Sequence, residues 1–333
     1  MIKLLITGSA GFIGFNFSLY CLNKGHSVIG IDNINNYYDR SLKKKRLKIL
    51  LKYKKFKFYK KDLSDFKSIK KIFEIYKPHT VVNLAAQAGV RYSIKHPMVY
   101  LNSNIYGFQN ILELCVKHKT KHLIYASSSS VYGLNKNLPF NTEKKASHPI
   151  SVYAATKRSN ELMAHVYSNM YNLPTTGLRF FTVYGPWGRP DMSLFKFVKS
   201  IMKNKIISVY NYGNHTRDFT YIDDAVHMIY KFLNRAPKRH KKIEENSSVS
   251  PWKIFNLSSN RPIKLMKFIN KIEKYLDKKA KIKFLPLQKG DVEVTSGNMK
   301  NTIKYINYKP KFDLDYGIKM FINWYKKYYN KKK

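Results

Sequence analysis

The sequence has few cysteines, few acidic residues and no long apolar stretch, and each shortage excludes a class of protein. Its 333 residues include two cysteines, Cys21 and Cys115, which are too few and too far apart for a disulfide scaffold or a metal knuckle. No apolar run approaches the ~20 residues that a membrane-spanning helix needs. We therefore expect no bound metal, no membrane partner and a cytoplasmic location.

Acidic residues are scarce relative to basic ones, since 20 Asp and Glu stand against 62 Lys and Arg, a formal net charge of +42. Such a surplus raises the question of a nucleic-acid or membrane-surface partner. The lysines are scattered in pairs and triplets, and no helix-turn-helix, zinc-finger or RNP pattern accompanies them. We predict a solvated basic surface and no dedicated nucleic-acid partner. Electrostatic attraction of an anionic substrate and weak polyanion binding are the alternatives.

A glycine-rich turn lies between the first apolar run and the first predicted helix. Residues 2–6 form a short apolar run interrupted by Lys3; Gly8, Gly11 and Gly14 follow in G-x-x-G-x-x-G spacing, and Asp32 ends the next strand. Such glycines let a pyrophosphate approach the N-terminus of the helix, where free N–H groups favour anions. Asp32 lies 18 residues beyond Gly14 and can accept from both ribose hydroxyls, so NAD is preferred over NADP. A glycine-rich turn without a ligand is the alternative.

Strand and helix patterns alternate as far as residue 180, which predicts an α/β fold, a Rossmann-like doubly wound parallel sheet. We place the NAD-binding domain at residues 1–182, to which about 216–235 return. Residues 183–215 and 236–333 then form a smaller α/β substrate-binding lobe. Within it, the Lys-, Asn- and Ser-rich residues 236–251 indicate a surface insertion.

A tyrosine and a lysine four residues apart, Tyr153 and Lys157, follow the serine run at 127–130. At this spacing both side chains lie on one face of a helix. A free tyrosine titrates near pH ~10, and lowering its pKa to ~7 takes roughly 4 kcal/mol. An ammonium about 4 Å away, at an effective dielectric constant of ~20, supplies about that much. The pair is therefore suited to act as a proton acceptor.

Together these features resemble the extended short-chain dehydrogenase/reductase family, and within it the nucleotide-sugar epimerases and dehydratases. The resemblance rests on the glycine turn, Asp32, the strand end Asn83-Leu84-Ala85-Ala86, Ser128 and the Tyr153-x-x-x-Lys157 pair. It covers essentially the whole chain. The segments most similar to UDP-glucuronate 4-epimerases are residues 32–39, 87–93, 179–192, 217–224 and 290–292.

The resemblance assigns roles to the catalytic residues. Tyr153 is implied to be the base, Lys157 to lower its pKa and bind the nicotinamide ribose, and Ser128 to bind the reacting hydroxyl. An ordinary strand-to-loop turn is the alternative for the serine run. Besides Tyr153 and Lys157, the residues expected to bind NAD are Gly8, Gly11, Phe12, Ile13, Gly14, Asp32, Asn33, Asp62, Leu63, Leu84, Ala85, Ala86, Asn104 and Ser127.

The residues after Ser128 indicate the reaction. Dehydratase and decarboxylase relatives place an acidic residue just after this serine, to move a second proton. Here Ser129 and Ser130 occupy those places. Without that acid, the chemistry available is reversible oxidation and reduction at one carbon. This favours NAD-dependent epimerisation at C4 of a UDP-sugar.

The resemblance also implies a set of substrate contacts, and Thr182 and Arg189 point to the sugar. Most relatives have Asn where Thr182 stands, and Arg189 can form a bidentate pair with a sugar carboxylate. We therefore favour UDP-glucuronate over neutral UDP-sugars such as UDP-glucose, UDP-galactose or their N-acetyl forms; a loop or phosphate contact is the alternative for Arg189. The residues expected to bind substrate are Arg91, Ser128, Ser129, Thr182, Arg189, Arg217 and Asp291.

A grip on the carboxylate would have a mechanistic purpose. Oxidation at C4 of a uronate gives a β-keto acid, which loses CO₂ readily when its carboxylate stands perpendicular to the carbonyl plane. Rigid binding in another orientation would suppress that loss.

Two further expectations concern assembly and a non-enzymatic alternative. Members of the family usually dimerise through a four-helix bundle, here expected from helices at about 98–117 and 152–171. The alternative to an enzyme is a nucleotide- or polyanion-binding scaffold on the same fold. Intact Ser128, Tyr153 and Lys157 argue against a scaffold.

Overall fold

The computed structural model describes residues 2–240 and 242–330. The strands are β1 (Lys3–Thr7), β2 (Ser27–Ile31), β3 (Phe56–Tyr59), β4 (Thr80–Asn83), β5 (His122–Ser128), β6 (Thr175–Phe180), β7 (Thr182–Tyr184), β8 (Ile207–Tyr210), β9 (Thr216–Tyr221), β10 (Trp252–Leu257), β11 (Pro262–Lys264) and β12 (Ile282–Leu285). The α-helices are α1 (Phe12–Asn23), α2 (Arg40–Leu50), α3 (Phe66–Tyr76), α4 (Val90–Lys95), α5 (Pro97–Tyr100), α6 (Gly107–Lys117), α7 (Val152–Tyr171), α8 (Ser193–Met202), α9 (Ile222–Phe232), α10 (Leu265–Leu276), α11 (Lys300–Ile306) and α12 (Leu314–Asn330). None of the helices in this part of the chain has the length and apolar character that a membrane crossing requires.

Seven parallel strands form the main sheet in the order β3-β2-β1-β4-β5-β6-β10. Successive residues of a strand point to opposite faces of a sheet, so a doubly wound sheet needs apolar residues at consecutive positions. Leu4 accordingly packs in the core on one face of the sheet and Leu5 in the core on the other. The order reverses direction between β1 and β4, where Rossmann-like folds bind nucleotides. The predicted doubly wound sheet is confirmed.

The smaller lobe contains two short sheets. Strands β7, β9 and β11 form one, and β8 pairs with β12 in the other. Helices α8, α10 and α12 pack against one another over this lobe, while α9 packs on α1 of the main domain. The stretch expected to return to the main domain, about 216–235, is thus divided, because β9 pairs in the small lobe and α9 packs on α1 of the main domain.

The structure corrects the boundary near residue 252. The sequence pattern places residues 236–333 in the smaller lobe, but Trp252–Leu257 is the edge strand of the main sheet, in parallel register with β6. The segment before it is also more than a surface insertion. Asn246 and Ser248 are buried, and Glu245 pairs with Arg158 of α7. These contacts anchor the chain before it enters the sheet. Lys241 and residues 331–333 lie outside the described residues.

The helix expected at about 98–117 is divided into three parts. Pro97 begins the short helix α5, residues 101–106 follow as a π-helical turn, and α6 continues from Gly107. A π-turn inserts one extra residue and shifts the side chains that follow around the helix. Here it contains Asn104, which lies buried beneath the cleft.

We predict that Gly14→Ala destabilises the fold more than Gly25→Ala does. A Cβ on Gly14 would lie 2.1 Å from the backbone oxygen of Gly8, which belongs to the glycine turn and cannot rotate away. We expect a cost of about 3 kcal/mol or more. Gly25 is a control with open space around it but a φ of +82°, so its alanine should cost about 1–2 kcal/mol. Urea unfolding of both variants measures the difference, and equal losses would contradict the packing described for Gly14.

Candidate active site

A cleft of about 1410 Å³ runs along the carboxyl ends of the main-sheet strands and continues between the two lobes. The glycine turn forms one end of it. Gly8 has a φ of +70° and donates its N–H to Ile31 O at 2.7 Å, and helix α1 begins at Phe12 without a side-chain cap. The first-turn residues Phe12, Ile13 and Gly14 line the cleft. Uncapped N–H groups at that position suit an anion.

Asp32 follows β2 at the same end of the cleft. Its two oxygens accept hydrogen bonds from the backbone N–H groups of Ala10 at 3.1 Å and Ile34 at 2.8 Å. Each carboxylate oxygen has a further lone pair, so a ribose hydroxyl can still be bound. Asp62 also lines the cleft, where it accepts from Asn33 Nδ2 at 2.7 Å.

The cleft brings together the predicted cofactor residues with one exception. Asn104 lies beneath the lining instead of in it. Its Oδ1 accepts from Gln87 N at 2.8 Å, and its Nδ2 donates to Gln87 O and to Thr156 Oγ1, each at 3.0 Å. Because the amide is used in holding the Gln87 segment, Asn104 shapes the cleft and does not face it. The cofactor residues that do line the cleft are Gly8, Gly11, Phe12, Ile13, Gly14, Asp32, Asn33, Asp62, Leu63, Leu84, Ala85, Ala86, Ser127, Tyr153 and Lys157.

The catalytic candidates lie where β5 and α7 meet the cleft. Ser151 caps α7 by accepting from Ala154 N at 3.1 Å, which places Tyr153 and Lys157 in its first two turns. Lys157 is almost fully buried and donates from Nζ to Ala126 O at 2.9 Å. Ser128 ends β5 and accepts from Ser130 N at 3.2 Å. Residues distant in sequence thus form one compact group.

The electrostatics of this group differ from the expectation that Lys157 depresses the pKa of Tyr153. Burial raises the pKa of the Tyr153 phenol, while a hydrogen bond with Ser128 and the charge of Arg189 act in the opposite direction. Burial also lowers the pKa of Lys157 to about 8. The groups that favour the Tyr153 phenolate in this structure are therefore Ser128 and Arg189.

Behind the serine run lies a buried carboxylate that sequence reasoning missed. Glu161 accepts from Ser127 Oγ at 2.6 Å and from Arg179 Nε and Nη2 at 2.8 and 2.9 Å. Arg158 is the third partner, and its Nη1 lies 2.8 Å from Glu161 Oε2. Burial opposes ionisation of Glu161, but these cations outweigh it and keep its pKa below the ordinary value. The 153, 157, 161 spacing, four residues each time on one helix face, was the available signal.

The other half of the cleft contains the predicted substrate residues. Arg217 donates to Asp291 Oδ1 at 3.0 Å, and Arg91 lies 3.4 Å from Asp291 Oδ2. Arg189 is paired with Asp191, which sequence reasoning also missed. Lysines on and just after α8 add positive charge to the lining. The predicted substrate residues that line the cleft are Arg91, Ser128, Ser129, Thr182, Arg189, Arg217 and Asp291, and the lysines are Lys196, Lys199, Lys203 and Lys205.

The sheet order, the glycine turn and the Tyr–Lys helix beside a strand-end serine define a nucleotide-binding protein of the short-chain dehydrogenase/reductase class. A family profile described as GDP-mannose 4,6 dehydratase matches residues 5–321. The chain belongs to this family of nucleotide-sugar dehydratases and epimerases, within the extended short-chain dehydrogenases/reductases.

Individual relatives are similar over nearly their whole length. Protein CapI of Staphylococcus aureus is 50% identical, with 99% of this chain and 100% of that protein covered. A probable UDP-glucuronate 4-epimerase of Rhizobium meliloti is 40% identical over 99% and 98%. Among solved structures, the UDP-glucuronic acid 4-epimerase of Bacillus cereus, in complex with UDP-glucuronic acid and NAD, superposes with a TM-score of 0.89. Its sequence identity is 31%, over 98% of this chain and 100% of that chain.

We predict that Glu161→Gln costs about 3–5 kcal/mol of unfolding free energy. Removing one charge of a fully buried pair leaves Arg179 without a counter-ion in a site that water does not reach. A matched control is Glu74→Gln, which breaks an exposed pair with Lys70 and should cost about 0–1 kcal/mol. Chemical unfolding of the two variants provides the comparison. If both lose the same stability, Glu161 does not bear the role assigned to it.

Proposed function

We propose that this chain catalyses the 4-epimerisation of UDP-glucuronate to UDP-galacturonate. It is an NAD-dependent isomerase acting on a UDP-sugar at C4. The observation that carries the uronate assignment is the position of Arg189. This residue lines the cleft, and its charge acts to lower the pKa of the Tyr153 phenol. In a uronate the carboxylate on C5 is next to the reacting C4, so the base and the carboxylate partner must lie close together.

The residues of the cleft fit NAD. A Cβ on Gly8 would lie 2.8 Å from the backbone nitrogen of Ala85, and one on Gly11 would lie 2.9 Å from Gly8 O. Side chains are thus excluded where a pyrophosphate would approach the N-terminus of α1. Asp32 would bind the adenosine ribose, and Lys157 the nicotinamide ribose. When bound, NAD supplies the acceptor for the hydride from C4 and later its donor.

Proton transfer falls to Tyr153 and Ser128. The phenolate of Tyr153 accepts the proton of the C4 hydroxyl, and Ser128 binds the same oxygen through its hydroxyl. Ser128 and Arg189 favour the phenolate form of Tyr153, because the hydrogen bond with Ser128 and the charge of Arg189 lower the pKa of Tyr153 against the effect of burial. The 4-keto sugar then turns within the cleft, and Tyr153 returns the proton after reduction on the other face.

The absence of an acid after Ser128 limits the chemistry to C4. Dehydration needs a second acid–base group to remove a proton from C5, and the neutral hydroxyls of Ser129 and Ser130 are too weak as bases to do so. Their positions at the start of a short helical turn leave both lining the cleft beside Ser128. The residues present therefore support epimerisation and not elimination.

The far end of the cleft suits a diphosphate. Arg217 and Arg91 meet there on opposite oxygens of Asp291, and the lysines of the α8 region lie along the same wall. A guanidinium can bridge phosphate oxygens, and several cations in one cleft attract a substrate with multiple negative charges. The basic surplus of the chain is thus partly directed at its substrate.

The test is to incubate the purified protein with UDP-glucuronate and, separately, with UDP-glucose, and to resolve the epimers by chromatography. We expect UDP-galacturonate to form, and NAD to be released when the protein is denatured.

Tyr153→Phe should lower turnover by roughly 10²–10⁴-fold, because it removes the proton acceptor. Tyr212→Phe, which removes a hydroxyl from an exposed side chain outside the cleft, is the control. Conversion of UDP-glucose alone would replace the uronate assignment with a neutral UDP-sugar.

We also propose a homodimer that buries α5 to α7 against a second copy. Large apolar side chains are exposed at intervals of four along α7, at Leu162, Val166 and Met170. Met98 and Tyr106 on the neighbouring helical segment are exposed as well. Two such helices from each subunit would form the expected four-helix bundle.

Light scattering after size-exclusion chromatography checks the dimer. We expect a dimer for the parent protein and a monomer for Leu162→Lys/Val166→Lys, since two charges in an apolar interface carry a desolvation cost. Ile75→Lys, at an exposed apolar position on α3, should remain dimeric. A monomeric parent protein at micromolar concentration would exclude this assembly.

A further inference from the structure

One edge of the Arg189 guanidinium is already bound by a carboxylate of the chain itself. Nε donates to Asp191 Oδ1 at 3.0 Å and Nη2 donates to Asp191 Oδ2 at 2.5 Å. Both side chains are only about a quarter exposed, at 21% and 26%. Burial opposes ionisation of Asp191, yet the charge and hydrogen bonds of Arg189 keep its pKa below the ordinary value. The pair is therefore ionised near neutral pH.

This arrangement leaves the outer edge of Arg189 for a second acceptor. A guanidinium has five N–H donors in one plane, and Asp191 takes two of them. The donors that remain belong to Nη1 and Nη2, whose parallel N–H bonds match the two oxygens of a carboxylate. Arg189 can thus be bound by Asp191 on one edge while it binds a substrate carboxylate on the other.

Tyr37 adds a second constraint from the cofactor side of the cleft. Its hydroxyl donates to Asp191 Oδ2 at 3.3 Å, and its ring centroid lies 5.8 Å from Arg189 Cζ. The segment that carries Tyr37 follows β2 and is anchored by Lys43, whose ammonium donates to Asn35 Oδ1 at 2.7 Å. Asp191 is accordingly fixed by contacts from two different parts of the chain.

We propose that Asp191 is a positioning residue that fixes the plane of Arg189, and that this plane decides whether the oxidised substrate is reduced or decarboxylated. The inference rests on the proposed uronate substrate. A guanidinium bound on one edge cannot rotate about its long side chain, so a carboxylate on its other edge is fixed in plane as well. Without Asp191, Arg189 still attracts the carboxylate but no longer sets its orientation.

The competing reaction is the oxidative decarboxylation of the same substrate. Hydride passes from C4 to NAD, and the hydroxyl proton passes to Tyr153, which gives the 4-keto uronate. When the carboxylate stands perpendicular to the carbonyl, the bond between C5 and the carboxyl carbon breaks. Its electron pair enters the enolate, C5 takes up a proton and CO₂ leaves. The product is a UDP-4-keto-pentose, and the hydride remains on the nicotinamide as NADH.

The experiment compares Asp191→Asn with Asp291→Asn in the full-length protein carrying NAD. Both substitutions keep the size of the side chain and remove one negative charge beside an arginine of the cleft. With UDP-glucuronate, we expect Asp191→Asn to lower epimer formation by roughly 10- to 100-fold. CO₂ and absorbance at 340 nm should rise together, while KM stays within about twofold or falls, because the charge near the carboxylate becomes more positive. Asp291→Asn should change KM without releasing CO₂.

Each outcome distinguishes the inference from the function on which it rests. If the parent protein does not convert UDP-glucuronate, the proposed function fails and the inference fails with it. If the parent protein converts it but Asp191→Asn loses turnover without CO₂ or NADH, Asp191 has only a structural role and the inference alone is overturned. Tyr37→Phe removes a hydroxyl that donates to Asp191 and also interacts with Arg189, so a smaller release of CO₂ in the same direction would support the proposal.

Discussion

The buried ion pair between Glu161 and Arg179 joins the catalytic helix to the sheet. Arg179 lies in β6, Glu161 lies in α7, and both side chains are fully buried. A charged pair at such a depth needs hydrogen-bond partners, and Glu161 has Ser127, Arg158 and Arg179. Arg179 Nη1 has no hydrogen-bond partner among the described residues, and its guanidinium lies over the ring of Tyr132. Because Ser127 precedes Ser128, the same carboxylate links the strand end with the serine to the helix with the base.

This link explains why the proton-transfer group is compact. Tyr153, Lys157 and Glu161 share one face of α7, and each contacts a different part of the serine strand: Lys157 the carbonyl of Ala126, Glu161 the hydroxyl of Ser127 and Tyr153 the hydroxyl of Ser128. Three consecutive residues of β5 thus contact three successive turns of one helix, although not in the order of the sequence. Together these contacts fix the distance between the base and Ser128.

The arginines of the cleft are paired with carboxylates of the chain. The chain is poor in acids, yet two of them, Asp191 and Asp291, lie against arginines that face the cleft. An arginine side chain has several rotatable bonds, and a bound carboxylate restricts them before any substrate arrives. The acids therefore reduce the net charge of the site and increase its order. A basic cleft lined by free arginines would attract anions without orienting them.

The features that could be predicted from the sequence are those whose residues are close together in the chain. The glycine turn, Asp32 and the Tyr153–Lys157 pair are patterns within one strand–turn–helix unit or one helix, so residue order determines their geometry. Asp191 and Tyr37 could not be found in this way, because 154 residues separate them and their contact depends on how two lobes meet. The inward orientation of the Asn104 amide could not be predicted for a related reason. The π-turn that contains it directs its amide to Gln87, 17 residues away, and a uniform helix was expected there.

The sequence by itself determined the doubly wound fold, the nucleotide end of the cleft and the identity of the base, because all three follow from periodicity and short spacings. Only the tertiary structure decided the electrostatic surroundings of that base, the edge position of Trp252–Leu257 and the carboxylate bound to Arg189. Burial and the contact of Tyr37 with Asp191 depend on which distant segments meet. Asp191 lies only two residues after Arg189, but whether two such neighbours pair depends on the conformation of the loop that carries them, which residue order alone does not determine.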